Sequence, residues 1–181
     1  MRWTVKPIPN PEKVQNLQQA LGVEKAIATL LVQRGIETFE EAKKFFRPSL
    51  KDLHDPFLMK DMDKAVARIE QALAEGENIL VYGDYDVDGT TSVALMSSYL
   101  KTRTPQIATY IPDRYAEGYG VSYQGIDYAA DNDISLIIAL DCGIKAIEKV
   151  AYAKEKGVDF VICDHHRPSK EIPDAVAVLD P

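Results

Sequence analysis

Three short apolar runs, Asn78 to Tyr82 (NILVY), Ile134 to Leu140 (ISLIIAL) and Val158 to Cys163 (VDFVIC), alternate along the chain with helical stripes. Strands buried on both faces read this way, whereas a sheet with one wet face alternates polar and apolar residues. Two further strands are expected at Ile107 to Ile111 and Ala175 to Leu179. Between the strands, Ala65, Ile69, Ala72 and Leu73 form a stripe that Gly76 can terminate, and further helices are expected over Thr90 to Leu100, Tyr123 to Ala130 and Lys145 to Lys156. Thr90, Thr91 and Ser92 are the candidate caps of the second helix. The alternation predicts an α/β fold, a doubly wound and mostly parallel sheet flanked by helices.

Upstream the pattern is different. Pro11 can open a helix, Thr38 and Glu41 have capping-box spacing, and Phe39, Ala42, Phe45 and Phe46 are expected to form one apolar helix face. Arg47 to Met59, broken by Pro48 and Pro56, has room for no helix longer than a turn or two. Residues 1–60 therefore read as a small helical appendage with its linker, and 61–181 as the α/β domain. With 46% hydrophobic residues the chain can bury a core. No apolar run approaches the roughly 18 residues of a membrane span, and Met1 to Asn10 lacks the layout of a secretory signal, so no membrane association and a cytoplasmic location are expected. Cys142 and Cys163 lack metal-site spacing and read as buried free thiols.

A net charge of −7 weighs against a module that grips nucleic acid by bulk electrostatics. The position of the acids changes that reading. Gly83-Asp84-Tyr85-Asp86-Val87-Asp88-Gly89 follows the first apolar run, Asp141-Cys142-Gly143 the second, and Asp164-His165-His166 the third. In a parallel α/β sheet, ligands bind beyond the carboxyl ends of the strands. An acidic loop is often only a solvated turn, but like charges at the ends of buried strands repel one another unless cations neutralise them. Adjacent histidines after an acid at a strand end are seldom needed for packing, and adjacent residues point in different directions, so one imidazole is expected on a metal and the other on substrate or water. Mostly carboxylate donors with one imidazole suit Mn²⁺, or Mg²⁺, better than zinc. Several such groups on one rim can hold two ions roughly 3.5–4 Å apart, an arrangement suited to phosphoester hydrolysis. No sequence of the GxxxxGK[ST] type occurs, and no GxGxxG follows a strand, so the common nucleotide cradles are missing.

The three motifs, in that order on successive strand ends, resemble the first three motifs of the DHH phosphoesterase family over Asp63 to Pro181. Leu50 to Val66 (LKDLHDPFLMKDMDKAV) and Ile111 to Gly120 (IPDRYAEGYG) are similar to segments of its bacterial single-stranded-DNA exonucleases. The family's small nano-RNase and pyrophosphatase members lack the first of these segments. The resemblance implies hydrolysis of single-stranded DNA from the 5′ end to mononucleotides in recombination and repair. Partners implied with it are a helicase and a single-strand-binding protein. It also implies that Asp86 and Asp88 are metal ligands, that Asp141 bridges two ions, and that His165 is a ligand of the ion shared with Asp88. Asp84 belongs to the same motif and acts on an ion directly or through a ligand. His166 faces the scissile phosphate, and Arg114 is the candidate phosphate contact, a surface ion pair being its plain alternative.

Two departures from the family pattern stand out. Tyr82 replaces a histidine that many members carry two residues before the first motif aspartate. The family's fourth motif, a further metal-binding aspartate, and its DHHA1 and OB-type domains lie beyond Ala175 to Leu179. The expectation is thus a piece of a longer enzyme, weak in Mn²⁺ binding and with little exonuclease activity alone. A DHH phosphatase or oligonucleotidase acting on small nucleotides shares the rim chemistry. A noncatalytic replication scaffold of the family has eroded motifs, unlike the intact set here.

Overall fold

The computed structural model describes residues 4–181 and divides into two compact units, the first ending at Asp55 and the second Pro56–Pro181. Met1 to Trp3, part of the stretch read above for a secretory signal, lie outside the described residues. The first unit holds α1 (Pro11–Leu21), α2 (Lys25–Val32) and α3 (Phe39–Phe46). Asn10 caps α1 by accepting from Glu12 N at 2.8 Å, with Pro11 opening the helix. The Thr38–Glu41 capping box forms as expected, each side chain accepting from the other residue's backbone N–H. The expected apolar face of α3 is not buried: Ala42 is, but Phe39, Phe45 and Phe46 are 49%, 55% and 60% exposed. The core of this small unit is Val14, Leu17, Ala28, Leu31 and Val32. So short a chain lacks the volume to enclose three phenyl rings as well.

The second unit is one five-stranded, all-parallel sheet in the order β2-β1-β3-β4-β5. Its strands are β1 (Asn78–Gly83), β2 (Ile107–Tyr110), β3 (Ile134–Leu140), β4 (Asp159–Cys163) and β5 (Ala177–Leu179). Both faces are covered, which explains the unbroken apolar runs. Leu80, Tyr82, Ile137, Ala139, Phe160 and Ile162 pack under α6 (Tyr123–Asp131) and α7 (Ile147–Glu155). Ile79, Val81, Leu136, Ile138 and Val161 pack under α4 (Met62–Glu75) and α5 (Val87–Leu100). At the amino ends of the strands, Arg68 of α4 donates to both carboxylate oxygens of Glu77, at 3.0 and 2.7 Å, and to Asp159 at 2.7 Å. This fork ties α4 to the starts of β1 and β4. The strand order reverses between β1 and β3, so the ends of those two strands flank the crevice where such sheets bind ligands. Among the described residues no helix is long and apolar enough to cross a membrane.

Candidate metal centre

The turn from β1 into α5 is unusually tight, and glycine makes it possible. A Cβ on Gly89 would lie 2.4 Å from Asp84 O and 2.6 Å from Asp84 N, so only glycine lets the helix start against the strand end. The helix begins at Val87, three residues before the expected Thr90. Asp86, not a hydroxyl residue, is its cap, accepting from Asp88 N and Gly89 N at 3.0 Å each. These two backbone donors and the helix N-terminus hold the Asp86 carboxyl below its usual range. Thr90 lies inside the first turn and donates its hydroxyl to Asp86 O. Asp84 is buried at 1% exposure beneath the turn, and among the described residues its Oδ1 has no hydrogen-bond partner.

β3 and β4 deliver the remaining groups. Asp141 adopts a left-handed conformation (φ 60°) that re-aims the chain as it leaves β3, and its N–H bonds to Cys163 O at the end of β4. Its carboxylate lies 3.0 Å from His165 Nε2. Burial and then the neighbouring Asp86 push the Asp141 carboxyl up, against the pull of His165. Asp164 points inward, its side chain wholly buried. It accepts from Ile144 N at 2.9 Å, His165 N at 2.7 Å, His166 N at 3.1 Å and His166 Nδ1 at 2.7 Å. Burial alone would raise its pKa, but these donors hold it low. Asp164 thus sets the orientation of both histidines without facing the rim itself.

The loop between β2 and α6 closes a third side. Tyr119 OH meets His166 Nε2 at 3.1 Å, so Asp164 and Tyr119 grip the imidazole at opposite nitrogens. The loop is pinned from below. Tyr82 OH donates to Gly120 O at 3.0 Å and accepts from Ser122 N at 3.1 Å. Glu117 accepts from Tyr110 OH at 2.8 Å, Asp113 N at 2.8 Å and Ser122 Oγ at 2.6 Å. Tyr82 is fully buried and stacks on Tyr110, so it serves as a loop clamp in the α6/α7 face of the core. Arg114 lies 5.2 Å over the ring of Tyr85, inside the first acidic motif.

Donor atoms of Asp141, His165 and His166 all fall within 4.8 Å of one another. Asp86 adjoins Asp141 closely enough to shift its titration. Asp88 sits exposed in the first turn of α5, outside this tight group, and Arg114 has its cation–π contact to Tyr85. The tight group is one carboxylate with two imidazoles, and together with the neighbouring carboxylates of Asp86 and the buried Asp84 it fits a divalent cation. The orienting role of Asp164 and the parts played by Tyr119 and Glu117 emerge only in the fold. The EGY spacing places the last two on one loop, but nothing local links Tyr119 to a histidine 47 residues away.

The model of the DHH family, N-terminal domain, matches residues 78–181. The single-stranded-DNA-specific exonuclease RecJ of Bacillus subtilis is 42% identical over 181 residues, covering 100% of this chain and 23% of that protein. A crystal structure of RecJ in complex with Mn²⁺ from Thermus thermophilus superposes with a TM-score of 0.72 at 28% identity, over 98% of this chain and 24% of that one. A second, of exonuclease RecJ bound to manganese, gives 0.62 at 34% identity, over 66% and 31%. The chain spans about a quarter of the length of the curated relatives it matches.

Proposed function

The chain belongs to the DHH family, and from that premise we propose that it is the metal-binding part of a cytoplasmic exonuclease. The enzyme degrades single-stranded DNA from the 5′ end to mononucleotides in recombination and repair, alongside a helicase and a single-strand-binding protein. The observation that carries the reading is the convergence of Asp141, His165 and His166, from two adjacent strand ends, within 4.8 Å beside the acidic turn after β1. Similarity to RecJ proteins over the whole chain, including the segments before the family domain, favours this reading over a small-nucleotide phosphatase.

In this proposal Asp86, Asp88, Asp141 and His165 would hold two Mn²⁺ ions, with Asp84 in support. Such ions, when bound, activate a water and stabilise the leaving oxygen of a phosphodiester. The protein's own contribution is placement. Asp164 on Nδ1 and the Tyr119 hydroxyl on Nε2 hold the His166 ring beside the rim, where in this proposal it faces the scissile phosphate. Arg114, over the ring of Tyr85, is the guanidinium that in this proposal contacts a phosphate oxygen. The test is Asp141→Asn, a substitution that tolerates the left-handed backbone. Wild-type protein should gain thermal stability on adding Mn²⁺, with the ion seen by its paramagnetic relaxation. The variant should lose most of that gain while its metal-free melting point stays close to wild type. An undiminished Mn²⁺ response would remove Asp141 from the site.

A further inference from the structure

Against His166 a cavity of about 170 Å³ opens between the loop after β2 and the start of α7. Tyr119 and Val121 form one wall, Lys145 and Lys149 the other, and His166 with the buried Asp164 the end nearest the rim. The two lysines are unusual for this chain. Acidic residues outnumber basic ones 28 to 21, yet among the described residues neither Lys145 nor Lys149 forms an ion pair with a carboxylate. Lys149 is half-buried; one of its protons goes to the Val121 carbonyl, and the ammonium lies 5.9 Å over Tyr123. An ammonium has three protons to donate, so it retains unused donors in a cavity that has already cost it hydration. Those unused donors can take an anionic partner. Lys145 is exposed at the cavity mouth, close enough to His166 to oppose its protonation.

The placement matters as much as the charge. His166 is shared between the cavity and the metal-binding rim. A strand with one phosphate against His166 has its next phosphate to place, and unpaired cations beside that histidine lie to hand. Arg114 is linked to the same histidine by a line of ring contacts, Arg114 over Tyr85, Tyr85 against Tyr119 and Tyr119 against His166.

We infer that this cavity is a phosphate subsite, in which Lys145 and Lys149 hold a phosphoryl group of the strand next to the one that faces His166. The inference rests on the single-strand reading above and assigns these lysines to the grip on the strand rather than to the hydrolytic step.

The test is binding by the 181-residue chain to a fluorescent oligothymidylate, followed by anisotropy across a salt series with and without Mn²⁺, probe integrity being checked on a gel. Lys145→Ala, at an exposed side chain with no ion pair to a carboxylate among the described residues, should weaken binding roughly 3- to 10-fold and make the logarithmic salt slope shallower by about 0.7. Adding Lys149→Ala should bring the reduction to about 1.4, and Lys149→Arg should restore most of the second step. Lys101→Ala, just past the far end of α5, controls for net charge and should change the slope far less. Inorganic phosphate as competitor separates the sources: competition assigns the subsite to any phosphoryl group, and its absence with the lysine effect intact assigns it to a strand phosphate held by its neighbours. If Lys145→Ala and Lys101→Ala behave alike, the subsite is overturned while strand binding stands. If the unmodified chain does not bind the strand at all, the single-strand reading falls and the subsite with it.

Discussion

Gly89→Ala tests whether the close approach of α5 to the end of β1 builds the metal-binding rim. In a helix interior this change normally stabilises by about 1 kcal/mol, because alanine restricts the unfolded chain and glycine does not. Here the new Cβ would run into the backbone of Asp84, at 2.4, 2.6 and 2.7 Å from its O, N and C. Ordinary contact needs roughly 3.5 Å, so the turn must open by about 1 Å. Overpacking of this kind costs about 1–3 kcal/mol, and with rigid backbone as the obstacle the upper end applies. Set against the propensity gain, the net loss is about 2 kcal/mol, or roughly 4–8 °C in melting temperature for a chain of this size. Because Asp84, Asp86 and Asp88 all ride on the displaced turn, the stabilisation by Mn²⁺ should shrink in the same variant. Calorimetric melts with and without Mn²⁺ read both quantities, and Thr91→Ala, on the exposed side of the same helix, should be neutral or slightly stabilising. A Gly89→Ala protein that melts at or above wild type with a full Mn²⁺ response would refute the close-approach argument.

Two further substitutions probe the scaffold. Arg68→Ala leaves the largely buried Glu77 without its guanidinium and should cost about 2–3 kcal/mol by chemical denaturation, with no change in Mn²⁺ response because the fork lies at the amino ends of the strands. Glu117→Gln should cost about 1–2 kcal/mol, since an amide cannot accept from all three donors that meet the carboxylate. The Glu117 carboxyl is penalised by burial, yet its hydrogen bonds hold its pKa below the ordinary glutamate value. A depressed folded-state pKa gives stability that is full above the unfolded value and is lost as pH falls through the folded one. The difference in stability between wild type and Glu117→Gln should therefore narrow on acidification below the ordinary glutamate range. A difference independent of pH would mean that the charged carboxylate is not what pins the loop.

The sheet and its rim were legible because both depend on short-range signals. Apolar runs of strand length report burial on two faces, and the acids follow them directly in the chain. The start of α5 was not. Thr90, Thr91 and Ser92 are reasonable caps by local chemistry, but Asp86 takes that role because Gly89 can press against Asp84, a tertiary contact with no local mark. Tyr82 shows the same limit. Compared with the family pattern it reads as a missing histidine, whereas in the fold its hydroxyl clamps Gly120 and Ser122, some 40 residues further on. The three phenylalanines of α3 mislead in the opposite direction: their spacing is that of an apolar face, but periodicity reports a shared side, not whether anything covers it.

Asp84 allows a prediction whose sign reverses with the metal. Its carboxylate is 1% exposed, and Oδ1 accepts no hydrogen bond from protein. Burying such an oxygen without a donor is unfavourable, and the residue sits in the same motif as Asp86, whose charge already opposes ionisation of Asp141. Asp84→Asn keeps the volume and removes the charge. Without metal the variant should be as stable as wild type or up to about 2 kcal/mol more stable. With Mn²⁺ the order should invert, because binding of the ion to the folded state stabilises only the protein that retains the donor set. Parallel melts of the two proteins in chelator and in Mn²⁺ decide the matter. A variant that is less stable in chelator and equally responsive to Mn²⁺ would show that Asp84 is a structural acid with an unseen partner and no part in holding the ion.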